Sequence, residues 1–98
     1  MVEIRWTQEA ENWLKEIHDY IAQDSPSAAA RVISGIYERV QLLRSFPELG
    51  HKYKSEPEGD IRILLYGHYR IAYIIKGKET IEVLAVLHGA MDIDRYVL

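Results

Sequence analysis

The sequence contains no cysteine. That removes disulfides, a thiol nucleophile and a zinc–thiolate site from consideration. No apolar run approaches the roughly 20 residues a helix needs to cross a bilayer. The first residues, Met1 to Trp6, carry Glu3 and Arg5 and lack the apolar core of a signal peptide. A glycine-rich phosphate loop is absent, and Ser25, Ser34, Ser45 and Ser55 sit in no nucleophile motif. His18, His51, His68 and His88 share no metal-ligand spacing, so neither a metal nor another cofactor is expected. There is no basic excess either: 12 Lys and Arg stand against 15 Asp and Glu, a net charge of −3. Proteins that bind nucleic acid unaided rely on such an excess, because neutralising phosphates supplies most of the affinity. Free nucleic-acid binding and membrane association are therefore not expected.

What is present is 98 residues, 48% apolar and 28% charged, enough for one domain over residues 1–98 and no more. Composition fits a small cytoplasmic globular protein. Its charge is uneven. Residues 1–30 hold six acids against Arg5 and Lys15, residues 31–78 hold nine basic residues against five acids, and the last twenty hold four acids against Arg95. This separation favours a protein partner, or a nucleic acid presented by a larger assembly.

Val2, Ile4 and Trp6 alternate with Glu3 and Arg5, the period of a short strand. Thr7 is placed to cap a helix, with Glu9 and Glu11 near its positive end. Ala10, Trp13, Leu14, Ile17, Tyr20 and Ile21 then share one helical face that stops near Gln23. Asp24-Ser25-Pro26 starts a second helix burying Ala29, Val32, Ile33, Ile36, Val40 and Leu43, and Phe46-Pro47-Glu48-Leu49-Gly50 ends it. Residues 51–60 read as a polar loop. Ile61–Tyr66, Tyr69–Ile75 and Ile81–Leu87 read as strands joined by turns at Gly67-His68 and Lys76-Gly77-Lys78. The expected fold is α+β: an N-terminal strand, an antiparallel helix hairpin, and a three-strand antiparallel meander in one mainly antiparallel sheet.

Three residues carry candidate chemistry. Arg62 and Arg70 lie in successive strands, where a guanidinium can face solvent, grip a phosphate or anchor a partner's carboxylate. A two-residue turn at Gly67-His68 puts them on opposite faces; a four-residue turn puts them together. His88 ends the last strand, on the side of Glu82, Leu84 and Val86 by period. It suits a general acid or base, or a structural hydrogen bond to the backbone. Glu56 and Glu58 lie beside Lys52 and Lys54 and read as solvated. Tyr37, Tyr53, Tyr66, Tyr69, Tyr73 and Tyr96 suit base stacking, core packing or a protein interface.

Four segments taken together resemble the RelE/ParE superfamily of type II toxin–antitoxin toxins, often labelled plasmid stabilisation proteins. They are Trp6-Thr7-Gln8-Glu9-Ala10 with Leu14, Ile17 and Tyr20-Ile21-Ala22; Ser25-Pro26 with Ala28-Ala29; Phe46-Pro47-Glu48-Leu49-Gly50; and Arg62, Tyr69-Arg70-Ile71-Ala72-Tyr73 and Val86-Leu87-His88-Gly89. The resemblance implies a cognate antitoxin partner that wraps the helix hairpin and the sheet. It also implies one of two activities: ribosome-dependent mRNA cleavage, as in the RelE-like branch, or inhibition of DNA gyrase by protein contact, as in the ParE-like branch. On the RelE-like reading Arg70 stabilises the phosphate, Arg62 positions it and His88 is the acid. The Tyr that follows this His in those nucleases is Gly89 here, with Tyr96 as a substitute from the C-terminal segment, and those nucleases tend to be basic. Both departures point to the ParE-like branch and gyrase. A non-toxic binding module is the remaining alternative.

Overall fold

The computed structural model describes residues 2–97; Met1 and Leu98, at the ends of the expected domain, lie outside the described residues. The chain runs through β1 (Glu3–Trp6), α1 (Gln8–Ala22), α2 (Pro26–Gln41), a 3-10 turn (Leu42–Arg44), β2 (His51–Glu56), β3 (Gly59–Tyr66), β4 (Tyr69–Lys76), β5 (Thr80–His88) and α3 (Ile93–Val97). One sheet has the order β1-β5-β4-β3-β2, with β1 parallel to β5 and every other pair antiparallel. This is the expected α+β arrangement with one strand added. Among the described residues, no helix is long and apolar enough to cross a membrane.

The local rules operate at the expected residues. Thr7 accepts a hydrogen bond from the Ala10 amide at 3.1 Å, and its hydroxyl donates to the Val83 carbonyl at 2.9 Å. The same side chain thus caps α1 and ties it to β5. Ser25 accepts from the Ala28 amide at 3.2 Å, with Pro26 in the first turn of α2. Both helices cover one sheet face, where Ala10, Leu14, Ile36, Val40 and Leu43 pack on Leu64, Ile71, Tyr73, Ile81, Val83 and Val86. Tyr20, read as part of that apolar face, is instead 76% exposed.

The second face carries a smaller cluster of Ile63, Ala72, Ala85 and Leu87, capped by Ile93 of α3. Further along this face, Ile61 and Ile74 are buried beneath ion-paired side chains. Lys54 meets Glu56 at 3.1 Å, and Lys76 meets Glu82 at 3.1 Å and Glu58 at 3.7 Å. Long charged side chains cover apolar surface with their methylene stems while their heads stay in water. Glu56 and Glu58 therefore hold ion pairs.

Two local expectations change. Residues 51–60, read as a loop, form β2 and a tight turn into β3. The Lys-rich pattern that suggested a loop belongs to an edge strand, where charge discourages pairing with another chain. The second change concerns His88. Tyr73 pairs with Val83 and Ala72 with Ala85, so Leu84 is an extra residue, a β-bulge that breaks the period of two. His88, paired with Tyr69, lies on the helix-covered side with Val86, while Glu82, paired with Ile74, lies on the other.

Candidate functional site

The turn at Gly67-His68 has two residues: Tyr66 pairs with Tyr69, and Gly67 takes φ +57°, which glycine adopts without strain. Arg62 pairs with Tyr73 and Arg70 with Leu65, which puts the two arginines on opposite faces of the sheet. The sheet therefore does not bring together the two guanidinium groups that the sequence offers.

Arg62, on the helix side, turns into the loop after α2. Its Nε donates to the Gly50 carbonyl at 2.7 Å and its Nη2 to the Glu48 carbonyl at 3.3 Å. Tyr73 completes the clamp. Its buried hydroxyl donates to the Pro47 carbonyl at 2.7 Å and accepts from the Gly50 amide at 3.0 Å. A Cβ on Gly50 would stand 2.6 Å from the Ile63 carbonyl oxygen and 2.9 Å from the Tyr73 ring, so the close approach requires glycine. Burial pushes the Tyr73 phenol above its usual pKa; the Gly50 amide and the nearby Arg62 oppose that shift.

Arg70 works on the other face. Its Nη2 donates to the Gly89 carbonyl at 3.0 Å and to the Met91 carbonyl, which holds the segment leading into α3. Its Nε is buried and makes no hydrogen bond among the described residues. Gly89 donates its amide to the His68 carbonyl at 2.7 Å, and a Cβ there would stand 3.1 Å from that oxygen. A bulky residue at position 89 would therefore crowd the turn. Tyr96 meets Trp13 edge-on, with ring centroids 5.2 Å apart.

His88 is exposed at the end of β5. Its ring stacks near His68 with centroids 6.4 Å apart and meets Tyr69 edge-on at 5.9 Å. Its Nδ1 accepts from the Ala90 amide at 3.4 Å. Together with Tyr69, Val86 and Met91, His88 forms one wall of an open groove of about 580 Å³. The opposite wall is α1, through Trp13, Glu16, Ile17, Tyr20 and Ile21. This groove has a largely apolar lining and carboxylates along its helix: Glu16 lies on its wall, and Glu9, Glu11 and Asp19 lie on the same helix. The sequence pattern alone assigns Trp13, Ile17, Tyr20 and Ile21 to the core. What distinguishes them is the breadth of the apolar face, which extends beyond what the sheet covers to the exposed Tyr20.

The family described as the ParE toxin of type II toxin–antitoxin systems, parDE, matches residues 4–93. The chain belongs to this family. It is 36% identical over 86 residues to protein Y4kP of Sinorhizobium fredii, an alignment covering 88% of this chain and 86% of the relative. It is similar to a solved chain of the chromosomal ParDE system of P. aeruginosa, with a TM-score of 0.72 and 26% identity over 90% of this chain and 96% of that one. A chain of the Mycobacterium tuberculosis RelBE2 toxin–antitoxin complex shares the fold, with a TM-score of 0.59 and 24% identity over 89% and 96% of the two chains. In this toxin, the two candidate arginines hold backbone carbonyls: Arg62 those of the Phe46–Gly50 loop, Arg70 those of the C-terminal segment.

Proposed function

We propose that this toxin inhibits DNA gyrase by protein contact, without catalysing a reaction, and that a cognate antitoxin neutralises it. The observation that carries this reading is the division of labour between Arg62 and Arg70. They stand on opposite sheet faces, and each guanidinium donates to main-chain carbonyls within its own fold. Cleavage of a phosphodiester needs cationic donors converging on one phosphate, with an acid or base within hydrogen-bond reach. The net charge of −3 also gives little electrostatic hold on RNA. Likeness to a ParDE chain and membership of the ParE family support the same choice. For the antitoxin we assign the groove beside α1, whose apolar lining and acidic helix suit an amphipathic segment with basic residues.

Pulse labelling of cells after induction separates the two targets. DNA synthesis is expected to fall before protein synthesis, as gyrase inhibition requires. His88→Ala is expected to keep its potency within about threefold, since exposed side chains outside a contact centre contribute little to binding. Protein synthesis falling first, with potency lost in the histidine variant, would move the activity to ribosome-dependent mRNA cleavage.

A further inference from the structure

The Phe46–Gly50 loop is held more firmly than a connection requires, and it displays apolar side chains to solvent. Leu42 is 43% exposed, Phe46 61% and Leu49 42%, while Leu43 between them is fully buried. Phe46 is the chain's only phenylalanine. Backbone hydrogen bonds link the three positions in turn: the Ser45 and Phe46 amides donate to the Leu42 carbonyl, at 3.1 and 2.9 Å, and the Leu49 amide donates to the Phe46 carbonyl at 3.0 Å. These bonds fold the 3-10 turn and the loop after it into one compact segment that carries the three exposed side chains. Beneath them, Arg62 and Tyr73 bind the carbonyls of Pro47, Glu48 and Gly50. An anchor already fixed in its bound conformation loses little entropy on docking, which makes such an aromatic–aliphatic strip suited to recognition.

Charge identifies the kind of surface that fits it. Arg44, Lys52 and Arg62 flank or underlie the strip; Glu48 lies within it and Asp60 meets Lys52 at 3.8 Å, which leaves a small positive excess. The groove beside α1 has the opposite character: the carboxylate on its wall is that of Glu16, and among the described residues no Lys or Arg lines it. The two surfaces therefore favour segments of opposite charge.

We propose that Leu42, Phe46 and Leu49 form a preformed ridge that docks into an apolar groove bordered by carboxylates on the toxin's protein target, at a surface separate from the antitoxin groove. The inference rests on the reading that the toxin acts by protein contact, but not on which protein it contacts. Arg62 and Tyr73 are then positioning residues that present the ridge.

The test is the double substitution Phe46→Ser with Leu49→Ser, made in the full chain and compared with Phe46→Trp. Induced growth arrest in a bacterial host reads the target contact; capture of the co-expressed cognate antitoxin reads the other surface. Circular dichroism and a melting curve report the fold. The double variant is expected to stay folded and to capture antitoxin, while needing at least about tenfold more protein for the same arrest. Phe46→Trp is expected to retain activity. Full toxicity of the folded double variant overturns the proposal, as does loss of antitoxin capture or a wild-type chain that leaves growth unaffected. A parallel supercoiling assay with purified gyrase holoenzyme keeps the two readings apart. Ridge-dependent growth arrest without gyrase inhibition would refute gyrase as the target and leave the ridge standing.

Discussion

Tyr73→Phe is expected to lower stability by about 1–3 kcal/mol, the cost of leaving a buried amide and carbonyl without their partner. The affected groups are the Gly50 amide and the Pro47 carbonyl. Tyr73→Ala adds a cavity at a fully buried position, raising the expected loss to about 3–5 kcal/mol. Domains of this size have only about 5–15 kcal/mol in total, so the alanine variant stands near the limit of folding. Urea titration measures both. A pH series tests the same contact. Burial holds the Tyr73 phenol neutral above its usual pKa of about 10. The neutral form is therefore favoured by folding: its contribution is complete below pH 10 and is lost as pH rises through the folded value. Tyr37, raised first by burial and then by Glu11, acts in the same direction and remains in both proteins. Wild-type stability is expected to fall more steeply above pH 10 than that of Tyr73→Phe. Equal slopes would show that the Tyr73 hydroxyl is not held as described.

Arg70→Ala has the second large effect. A hydrogen bond from a charged group contributes about 1.5–3 kcal/mol, and here the Arg70 guanidinium ties the Gly89 and Met91 carbonyls to β4. The loss is expected to be local before it is global. Amides 89–97 should exchange with solvent much faster, while those of Ile71 and Val83 in the central strands keep the exchange of the global unfolding reaction. Hydrogen exchange resolved by residue checks this. The Trp13–Tyr96 contact gives a second readout, because release of α3 changes the surroundings of that indole. A loss of toxicity in Arg70→Ala with unchanged exchange at 89–97 would instead assign the guanidinium to a target.

Much of this fold is legible in the amino-acid sequence. Thr7 and Ser25 announce their caps, Pro26 the first turn of α2, and the runs of Ile, Val and Leu the three inner strands. These signals are local, and local chemistry decides them. β2 is hidden because an edge strand buries little, so His51 to Glu56 carries the polarity of a loop and takes its structure from pairing with β3. The side occupied by His88 is hidden for a related reason: the Leu84 bulge shifts the period of two, and nothing in Val83–Val86 marks it. The site is legible as residue types but not as an arrangement. Arg62 and Arg70 stand out as charges in apolar strands, yet only the length of the Gly67-His68 turn decides that they face apart. Tyr73 does not stand out among seven tyrosines, because its importance lies in contacts 23 and 26 residues away in sequence.

Supercoiling of relaxed DNA by purified gyrase, with the folded toxin added, tests the central claim most directly. Inhibition at near-stoichiometric toxin, relieved by the cognate antitoxin and preserved in His88→Ala, is the predicted result. Uninhibited supercoiling in the presence of folded toxin, alongside cleavage of mRNA on programmed ribosomes, would contradict it.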